Sequence, residues 1–294
     1  MEEKSEADFL SRARVAILGL GLMGGSLALA LRGKCAGLLG VDPDPLTLDL
    51  ARQMGLADRL SADPGEILPC AEVVILAAPV SAVLDLLQAL PRLHPGPAVV
   101  LDLGSTKKQI VEMMQRLPER FEPLGGHPMC GKESSSLKNA EARLFQGAPF
   151  ALTPLERTTP HARAVGEAVV RSAGARPVWL DPDTHDRWVA ATSHLPFLLS
   201  NLLARITPSE TGPLVGPGFR STTRLAVTQA SMMRDILMTN QANVLEGLGQ
   251  ARQELETLER LLAEGDWDAL VERFDLGAAR RRALVGEGSA EERS

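Results

Sequence analysis

The stretch RVAILGLGLMGGSLALAL, residues 14–31, decides the fold of the first half of the chain. Its first five residues form a short apolar run, which predicts a buried parallel strand. A GxGxxG pattern follows, and apolar residues at helical spacing begin at Met23. A glycine loop between a buried strand and a helix lets the backbone approach a phosphate group closely. The stretch therefore predicts the first strand, loop and helix of a dinucleotide-binding domain.

The three glycines of the pattern have different tasks. Gly19 permits the tight turn, Gly21 lets the backbone approach a pyrophosphate, and Gly24 lets the helix pack against the strand. Asp42 lies at the end of the next predicted strand, where a carboxylate accepts hydrogen bonds from ribose hydroxyls and repels a 2′-phosphate. Because no arginine immediately follows Asp42, the sequence favours NAD over NADP. A glycine-rich turn beside an ordinary surface aspartate is the alternative.

Strands and helices alternate through the first 180 residues. The predicted strands are 14–18, 37–41, 71–77, 98–103, 149–153 and 176–180, with helical patterns between most of them. This alternation predicts βαβ units and a doubly wound parallel sheet of the Rossmann type. The predicted domain boundary lies between residues 180 and 181, because the pattern changes there.

The second half, residues 181–294, predicts an all-α domain. We expect one long helix over 183–206 that Pro196 interrupts, then a loop over 207–219 that is rich in proline and glycine. Helical periodicity continues over 222–262 and 266–284, with Gly277 as the weak point of the last helix.

Composition narrows the function classes. The chain has 294 residues, a net charge of −6 and only 3% aromatic residues, which disfavours nucleic-acid binding. Three dispersed cysteines and five histidines show no disulfide or zinc spacing, so we expect no metal site. The uncharged run over 15–31 is glycine-rich and follows an acidic segment, which disfavours a membrane span or leader. The sequence predicts a cytoplasmic protein.

Two polar residues stand out near predicted strand ends. Ser105, in LDLGSTKK, follows a strand at the edge where doubly wound sheets bind ligands. Capping of the next helix is an equally good interpretation of that serine. His127, in PLGGHPMCGKE, is flanked by glycines and proline, which predicts a constrained loop. An imidazole there can accept a proton near neutral pH, although it could also only satisfy local backbone groups.

Three further candidates lie in the helical half. His194, in ATSHLPF, is by itself more typical of a buried, hydrogen-bonded histidine than of a ligand contact. Arg220 and Arg224 are four residues apart, so at helical spacing they would share a face and could clamp carboxylates. A solvated basic face is the alternative for these arginines.

Together these segments resemble the prephenate dehydrogenase family, which includes arogenate and cyclohexadienyl dehydrogenases of tyrosine biosynthesis. The motifs occur in the family's order and cover about residues 14–275: GLGLMGGS, VDPDP, LAAPV, DLGSTK, GGHPMCGKES, TSHLPF, GFRSTTRLA and RDILMTNQANVL. The glycine loop is common to many dehydrogenases, whereas the histidine and arginine motifs are far more specific.

The resemblance implies NAD-dependent oxidative decarboxylation of prephenate by a homodimer that pairs through its helical domain. His127 matches the family's catalytic histidine, and Ser105 matches the serine that contacts the same substrate hydroxyl. His194 and Arg224 match residues of the substrate pocket, and Arg220 or Lys132 could add positive charge. The implied cofactor-binding residues are Gly19, Gly21, Leu22, Met23, Gly24, Asp42, Ala78 and Pro79.

Three departures from the family pattern leave prephenate and arogenate both open as substrates: Ser135 and Ser136 in place of the glycine after GKES, Phe197, and Met233. A β-hydroxyacid dehydrogenase is a further alternative, because that family shares the glycine-loop start and a helical second domain. It relies on a lysine in a helix of the second domain, and residues 183–262 contain no lysine. A non-catalytic dinucleotide sensor would need the glycines and Asp42 but not His127.

Overall fold

A computed structural model gives the fold of the chain and describes residues 9–132 and 136–286. The chain divides into two compact units between Val244 and Leu245. Glu133 and Ser134, the last residues of the GGHPMCGKES segment, and Ser135 after them lie outside the described residues. The boundary between residues 180 and 181 stays a prediction, since compactness alone groups the helices that follow residue 181 with the sheet.

An eight-stranded sheet forms the centre of the first unit, in the order β3–β2–β1–β4–β5–β6–β7–β8. The strands are β1 (Arg14–Leu18), β2 (Gly37–Val41), β3 (Arg59–Ser61), β4 (Val73–Leu76), β5 (Ala98–Asp102), β6 (Phe121–Pro128), β7 (Pro149–Thr153) and β8 (Arg176–Trp179). Strands β1 to β6 pair in parallel, and β6 pairs antiparallel with β7. The strand order reverses between β1 and β4, where doubly wound sheets bind their ligands. The predicted α/β class is confirmed.

Helices cover the sheet and connect its strands. They are α1 (Leu22–Leu31), α2 (Pro45–Gln53), α3 (Pro64–Ile67), α4 (Val80–Leu93), α5 (Lys108–Gln115) and α6 (Pro160–Ser172), with 3₁₀ turns at Leu68–Cys70 and Leu137–Asn139. Successive residues of β1 enter two separate apolar clusters: Val15 and Ile17 join one, Ala16 and Leu18 the other. Since side chains alternate across a strand, the sheet is buried on both faces.

Two strands were not predicted, β3 and β6. The prediction of a constrained loop around His127 is wrong, because His127 lies near the end of β6. A Cβ at Gly126 would lie 2.6 Å from the carbonyl oxygen of Asp102, and one at Gly125 would lie 2.1 Å from Oγ1 of Thr153. These glycines therefore allow close packing between strands. From sequence alone, glycines with this role look the same as glycines in a turn.

The predicted long helix over 183–206 has three parts: α7 (Pro182–Val189), a π-helical turn (Ala190–His194) and α8 (Leu195–Ile206). The chain does not leave the helix at Pro196. Proline has no N–H, and its ring collides with the carbonyl group four residues earlier in a regular α-helix. A wider π turn directly before Pro196 removes that conflict and is typical of functional sites.

The segment after α8 differs from the prediction. The expected loop contains a 3₁₀ turn (Ser209–Leu214) and α9 (Pro217–Thr222), and the expected continuous helix consists of a 3₁₀ turn (Arg224–Val227), α10 (Ala230–Thr239) and α11 (Gln241–Glu264). The hydroxyls of Thr222 and Thr223 donate to the carbonyl groups of Gly218 and Phe219, at 2.9 and 2.7 Å. Such side-chain bonds compete with helix continuation.

The second unit contains most of α11 and the last described helix, α12 (Trp267–Val285). Asp266 begins α12 by accepting a hydrogen bond from the N–H of Ala269. The helix continues through Gly277, so the predicted weak point is wrong. Over residues 9–132 and 136–286, the helices lack the combination of length and hydropathy that crossing a bilayer requires.

Candidate active site

The glycine loop lies between β1 and α1, beside the end of β4. Gly19 has a φ of +95°, and a Cβ there would lie 2.6 Å from the carbonyl oxygen of Ala77. A Cβ at Gly24 would lie 1.9 Å from the carbonyl oxygen of Gly19. Both positions therefore require glycine. The loop ends at Gly21, which begins α1 without a side-chain cap, so the first N–H groups of α1 need partners from outside the helix.

Asp42 follows β2 and lies against this loop. Its Oδ2 accepts the N–H of Leu20 at 2.8 Å, and its Oδ1 accepts the N–H of Asp44 at 2.9 Å. The side chain is half-buried, and each carboxylate oxygen can accept a second hydrogen bond. The structure thus fixes the carboxylate one strand away from the phosphate-binding loop, which is the position that recognises a ribose.

The predicted cofactor-binding residues come together at this edge. Ala78 and Pro79 connect β4 to α4, and the N–H of Ala77 donates to the carbonyl group of Leu18 at 2.7 Å. Leu22 and Met23 form the first turn of α1, where the N–H groups and the helix dipole favour an anion. A tight glycine turn, an uncapped helix start and a fixed carboxylate fit the pyrophosphate and ribose of NAD.

A buried ion pair supports the next part of the edge. Asp102 ends β5 and Lys107 precedes α5, and both side chains have 0% exposure. Nζ of Lys107 donates to Oδ2 of Asp102 and, at 2.6 Å, to the carbonyl oxygen of Gly126. Asp102 also accepts the N–H groups of Gly104, at 2.7 Å, and Gly126, at 3.0 Å. The pair therefore joins the ends of β5 and β6, directly before His127.

His127 contacts a second histidine and, through it, an aspartate. Nδ1 of His127 lies 2.9 Å from Nε2 of His185, and Nδ1 of His185 lies 2.8 Å from Oδ1 of Asp186. The two rings meet edge to face, with centroids 5.1 Å apart. Oδ1 and Oδ2 of Asp186 accept the N–H groups of Lys107 and Lys108, at 2.7 and 2.9 Å. A side chain of α7 thus caps α5.

This cap bears on one of the two interpretations of Ser105, that it caps the next helix. Helix α5 begins after Lys107 and has no side-chain cap of its own, so Ser105 does not cap it. Ser105 lies half-buried on the loop after β5, at the same sheet edge as His127 in the neighbouring strand β6. Its placement agrees with a ligand-facing position and leaves that role a prediction.

His194 lies at the end of the π turn, and Asn240 fixes its ring. Nδ2 of Asn240 lies 3.2 Å from Nδ1 of His194 and donates to the carbonyl oxygen of Asp186 at 2.7 Å. Oδ1 of Asn240 accepts a hydrogen bond from Nδ2 of Asn243 at 2.7 Å, which sets the orientation of the amide. Nδ1 of His194 is therefore an acceptor, and its Nε2 carries the hydrogen.

Burial keeps both candidate histidines neutral. It lowers the pKa of His194 to about 4. The pKa of His127 lies well below its ordinary value because of burial first, and then because of the positive charge that His185, Lys107 and His194 can carry. Neutral imidazoles near pH 7 can accept a proton or donate a hydrogen bond. Among the described residues, no group of His, Cys, Asp and Glu side chains is arranged to hold a metal ion.

The prediction that Arg220 and Arg224 share one helix face is wrong. Arg220 lies in α9, which ends at Thr222, and Arg224 begins the separate 3₁₀ turn. Both residues are exposed. Lys132 forms an ion pair with Glu141 at 2.5 Å. Arg220 and Arg224 therefore lie on different elements, and the positive charge of Lys132 is paired with a carboxylate.

Sequence reasoning missed the buried residues that support His127 and His194, directly or through a neighbour. These are Asp102, Lys107, His185, Asp186 and Asn240. Four of them are charged or titratable residues with 1% exposure or less, and Asn240 is 4% exposed. Hydrogen-bonded partners in this group lie as far as 79 residues apart in the chain, so short sequence patterns do not link them. The sequence showed only that polar residues occur next to apolar segments.

The sequence matches two family models over most of its length. Residues 27–179 match "Prephenate dehydrogenase, nucleotide-binding domain", and residues 181–276 match "Prephenate dehydrogenase, dimerization domain".

Two curated relatives align with most of the chain. The chain is 30% identical to prephenate dehydrogenase of Bacillus subtilis, with 88% of this chain and 73% of that protein covered. It is 29% identical to cyclohexadienyl dehydrogenase of Zymomonas mobilis, with 92% and 95% covered.

Two solved structures share the whole architecture. Prephenate dehydrogenase from Aquifex aeolicus, in complex with hydroxyphenyl propionate and NAD+, has a TM-score of 0.85 at 28% identity, with 94% of this chain and 99% of that chain covered. Arogenate dehydrogenase from Synechocystis has a TM-score of 0.80 at 29% identity, with 92% and 99% covered.

Proposed function

Because the chain belongs to the prephenate dehydrogenase family, we propose that it converts prephenate to 4-hydroxyphenylpyruvate and carbon dioxide with reduction of NAD to NADH. One observation carries the proposal: His127, at the end of β6, lies at the same sheet edge as the glycine loop and Asp42. A base and a dinucleotide site at one edge are what an alcohol oxidation requires.

The reaction does not require a strong base from the protein. NAD, when bound, accepts the hydride that leaves the carbinol carbon of the substrate. His127 takes the hydroxyl proton, and the O–H electron pair forms the new C=O bond. The bond to the departing carboxylate then breaks, and its electron pair enters the ring. The C=O electron pair returns to the oxygen, which takes up a proton, so the ring becomes an aromatic phenol. Since aromatisation drives the sequence, a neutral imidazole with a lowered pKa is a sufficient base.

The substrate carries two carboxylates and one hydroxyl. We assign Ser105 and His127 to the hydroxyl, and Arg224 to a carboxylate, with His194 lining the pocket and Arg220 adding positive charge. Nε2–H of His194 is a suitable donor to an anionic or carbonyl oxygen because Asn240 occupies Nδ1. Arg224→Ala is expected to raise KM for the substrate far more than it lowers kcat. An unchanged KM would remove Arg224 from the assignment.

Arogenate is the second candidate substrate. It differs from prephenate by an amino group in place of the side-chain keto group, so the same hydroxyl chemistry applies to both. The similarity to arogenate dehydrogenase from Synechocystis supports this candidate. A β-hydroxyacid dehydrogenase is less well supported, because the segment 183–262 supplies no lysine to act as its catalytic group.

We also propose that two copies of the chain pair through the helical domain, 181–294, while residues 1–180 hold the cofactor. The match to a dimerization-domain model supports this pairing. Helix α11 presents exposed leucines at a spacing of seven residues: Leu248, Leu255 and Leu262. Helix α12 presents Trp267, Val271 and Phe274, which are all more than half exposed. Apolar faces of this kind are typical of subunit contacts. The cytoplasmic location stays a prediction.

NADH formation by the purified protein tests the function directly. Prephenate and arogenate are each supplied with NAD and with NADP. We expect turnover with prephenate and NAD, and the ratio of kcat/KM between the two substrates decides which one the enzyme prefers. Absence of NADH with both substrates, from protein that binds NAD, would contradict the proposal.

The variant His127→Asn tests the base. We expect kcat to fall by about 100-fold or more with an unchanged Kd for NAD, because general-base removal typically costs that much. His161→Asn is the matched control, since His161 is exposed and packs only its ring edge against Phe9. If both variants keep the wild-type kcat, His127 is not the base.

A further inference from the structure

Two buried residues beside the proposed base have no part in the proposed reaction so far. His185 and Asp186 are each only 1% exposed, and they begin a hydrogen-bonded chain that ends on His127. Burial of a titratable pair is unfavourable unless its hydrogen bonds are satisfied. The direction of each bond in this chain can be worked out from the groups at its two ends.

Asp186 sets the direction of the chain. Its Oδ1 and Oδ2 accept the backbone N–H groups of Lys107 and Lys108. Backbone N–H groups can only donate, so the carboxylate acts as the acceptor on both sides. In the 2.8 Å contact, the hydrogen therefore belongs to Nδ1 of His185, which donates to Oδ1 of Asp186.

The hydrogen-bond direction at His185 then determines the direction at His127. A neutral imidazole has one N–H, so a His185 that donates through Nδ1 has a lone pair on Nε2. In the 2.9 Å contact, Nδ1 of His127 must therefore be the donor to Nε2 of His185. Nε2 of His127, on the far side of its ring, is left without a hydrogen and can accept one.

We propose that His185 and Asp186 are positioning residues that hold His127 in the tautomer whose Nε2 accepts the substrate's proton. This inference rests on the proposed function, since it concerns the same base. The other ring atom of His127 is held by His185, so the ring cannot rotate without losing that bond. When Nε2 gains the proton, Nδ1–H remains bonded to a chain that ends on a carboxylate, which stabilises the new positive charge.

Other charged and titratable groups near His127 do not set its tautomer. Lys107 directs its Nζ to Asp102 and to the carbonyl oxygen of Gly126. Nδ1 of His194 is held by Asn240. Both groups, when charged, lower the pKa of His127, but among the described residues the hydrogen-bond partner of its Nδ1 is His185.

The kinetic test compares His185→Ala with His185→Gln. We expect His185→Ala to lower kcat for prephenate by about 10- to 100-fold, with KM and the Kd for NAD within about twofold of wild type. His185→Gln should recover part of the loss, because its amide oxygen can accept the Nδ1–H of His127. His94→Gln is the control. His94 is equally buried but bonds to the carbonyl group of Ala71 and the N–H of Gly96, outside this chain.

The tautomer itself is measured by ¹⁵N NMR of the histidine side chains in the resting enzyme, with the His127 signals assigned from their loss in His127→Asn. We expect a protonated Nδ1 and an unprotonated Nε2 in wild type, and a mixture of both tautomers in His185→Ala. A wild-type His127 with its hydrogen on Nε2 would overturn the inference, as would a wild-type kcat in His185→Ala.

The two measurements separate this inference from the proposed function. If neither prephenate nor arogenate is turned over, the function fails while the NMR spectrum still reports the tautomer. If KM, NAD affinity and melting temperature all change with kcat in both His185 variants, and the wild-type tautomer differs from the expected one, the residues are only structural.

Discussion

The carboxyl edge of the sheet and the two last helices use their side chains in opposite ways. At the sheet edge, Asp102, Lys107 and Asp186 are buried and each has several hydrogen-bond partners. On α11 and α12, large apolar side chains are exposed, with Leu255 at 54% and Phe274 at 61%. Polar groups are thus inside in one region, and apolar groups are outside in the other.

The two regions differ in which contacts satisfy their side chains. Buried charges are tolerated only where hydrogen bonds satisfy them, and those of Asp102, Lys107 and Asp186 have partners within one chain. Exposed apolar faces are unfavourable in water, and the proposed dimer would cover those of the helices. The catalytic geometry and the assembly are therefore expected to fail under different substitutions.

The largest expected effect is on stability, from Lys107→Met. It leaves Asp102 charged and buried without its cation, which typically costs about 3–5 kcal/mol of unfolding free energy. Lys108→Met is the matched control at the next residue: Lys108 is exposed and pairs with an exposed Asp183, so its loss should cost far less stability than the loss of Lys107. Urea denaturation measures both. Equal losses of unfolding free energy would show that burial does not make the Lys107 ion pair more important than the Lys108 pair.

The next effect is on assembly, from Leu255→Glu. A charge on the exposed apolar face of α11 should weaken the dimer by about 2 kcal/mol or more, or ~30-fold in dissociation constant. Light scattering across a dilution series measures the mass. Gln253→Glu adds the same charge two residues away, off the leucine stripe, and should leave the dimer intact. A dimer that tolerates Leu255→Glu would place the interface elsewhere.

Acid should lower the free energy of unfolding through the buried histidines near the sheet edge, in a defined pH window. His194 has a pKa of about 4 in the folded chain and about 6.5 when unfolded, so below pH 6.5 the unfolded state binds more protons. Stability is complete above pH 6.5 and falls as the pH drops towards 4, by roughly 1–2 kcal/mol at pH 5. His127 acts in the same direction. His194→Gln should flatten the profile measured by urea denaturation; an unaltered slope would exclude His194 as a source.

The smallest effect sharpens the cofactor assignment. Asp42→Ser removes the carboxylate that repels a 2′-phosphate, and should reduce the preference for NAD over NADP by about 10-fold. Asp44→Ser is the control, because Asp44 caps α2 through the N–H groups of Leu46 and Thr47. Since serine is also a good N-cap residue, we expect little change in stability and no change in cofactor preference. Wild-type exclusion of NADP by Asp42→Ser would show that another residue recognises the ribose.

Local sequence patterns predicted most of the cofactor half. Buried parallel strands appear as apolar runs such as Val73–Leu76, and the glycine loop has a fixed spacing, so each signal lies within a few residues. Patterns failed where packing decides the conformation. Gly125 and Gly126 indicated a loop, but they lie in β6, because neighbouring strands leave no room for side chains. Pro196 indicated a break, but a π turn before it lets the helix continue.

The sequence by itself determined the fold class, the dinucleotide loop with Asp42, and His127 as the candidate base, because these depend on residue type and short spacing. The tertiary structure alone decided what holds that base: the buried Asp102–Lys107 pair and the chain from His127 through His185 to Asp186. Hydrogen bonds and buried charges depend on distances of about 3 Å between atoms. Those atoms come from β5, the segment before α5, β6 and α7, which only the folded chain brings together.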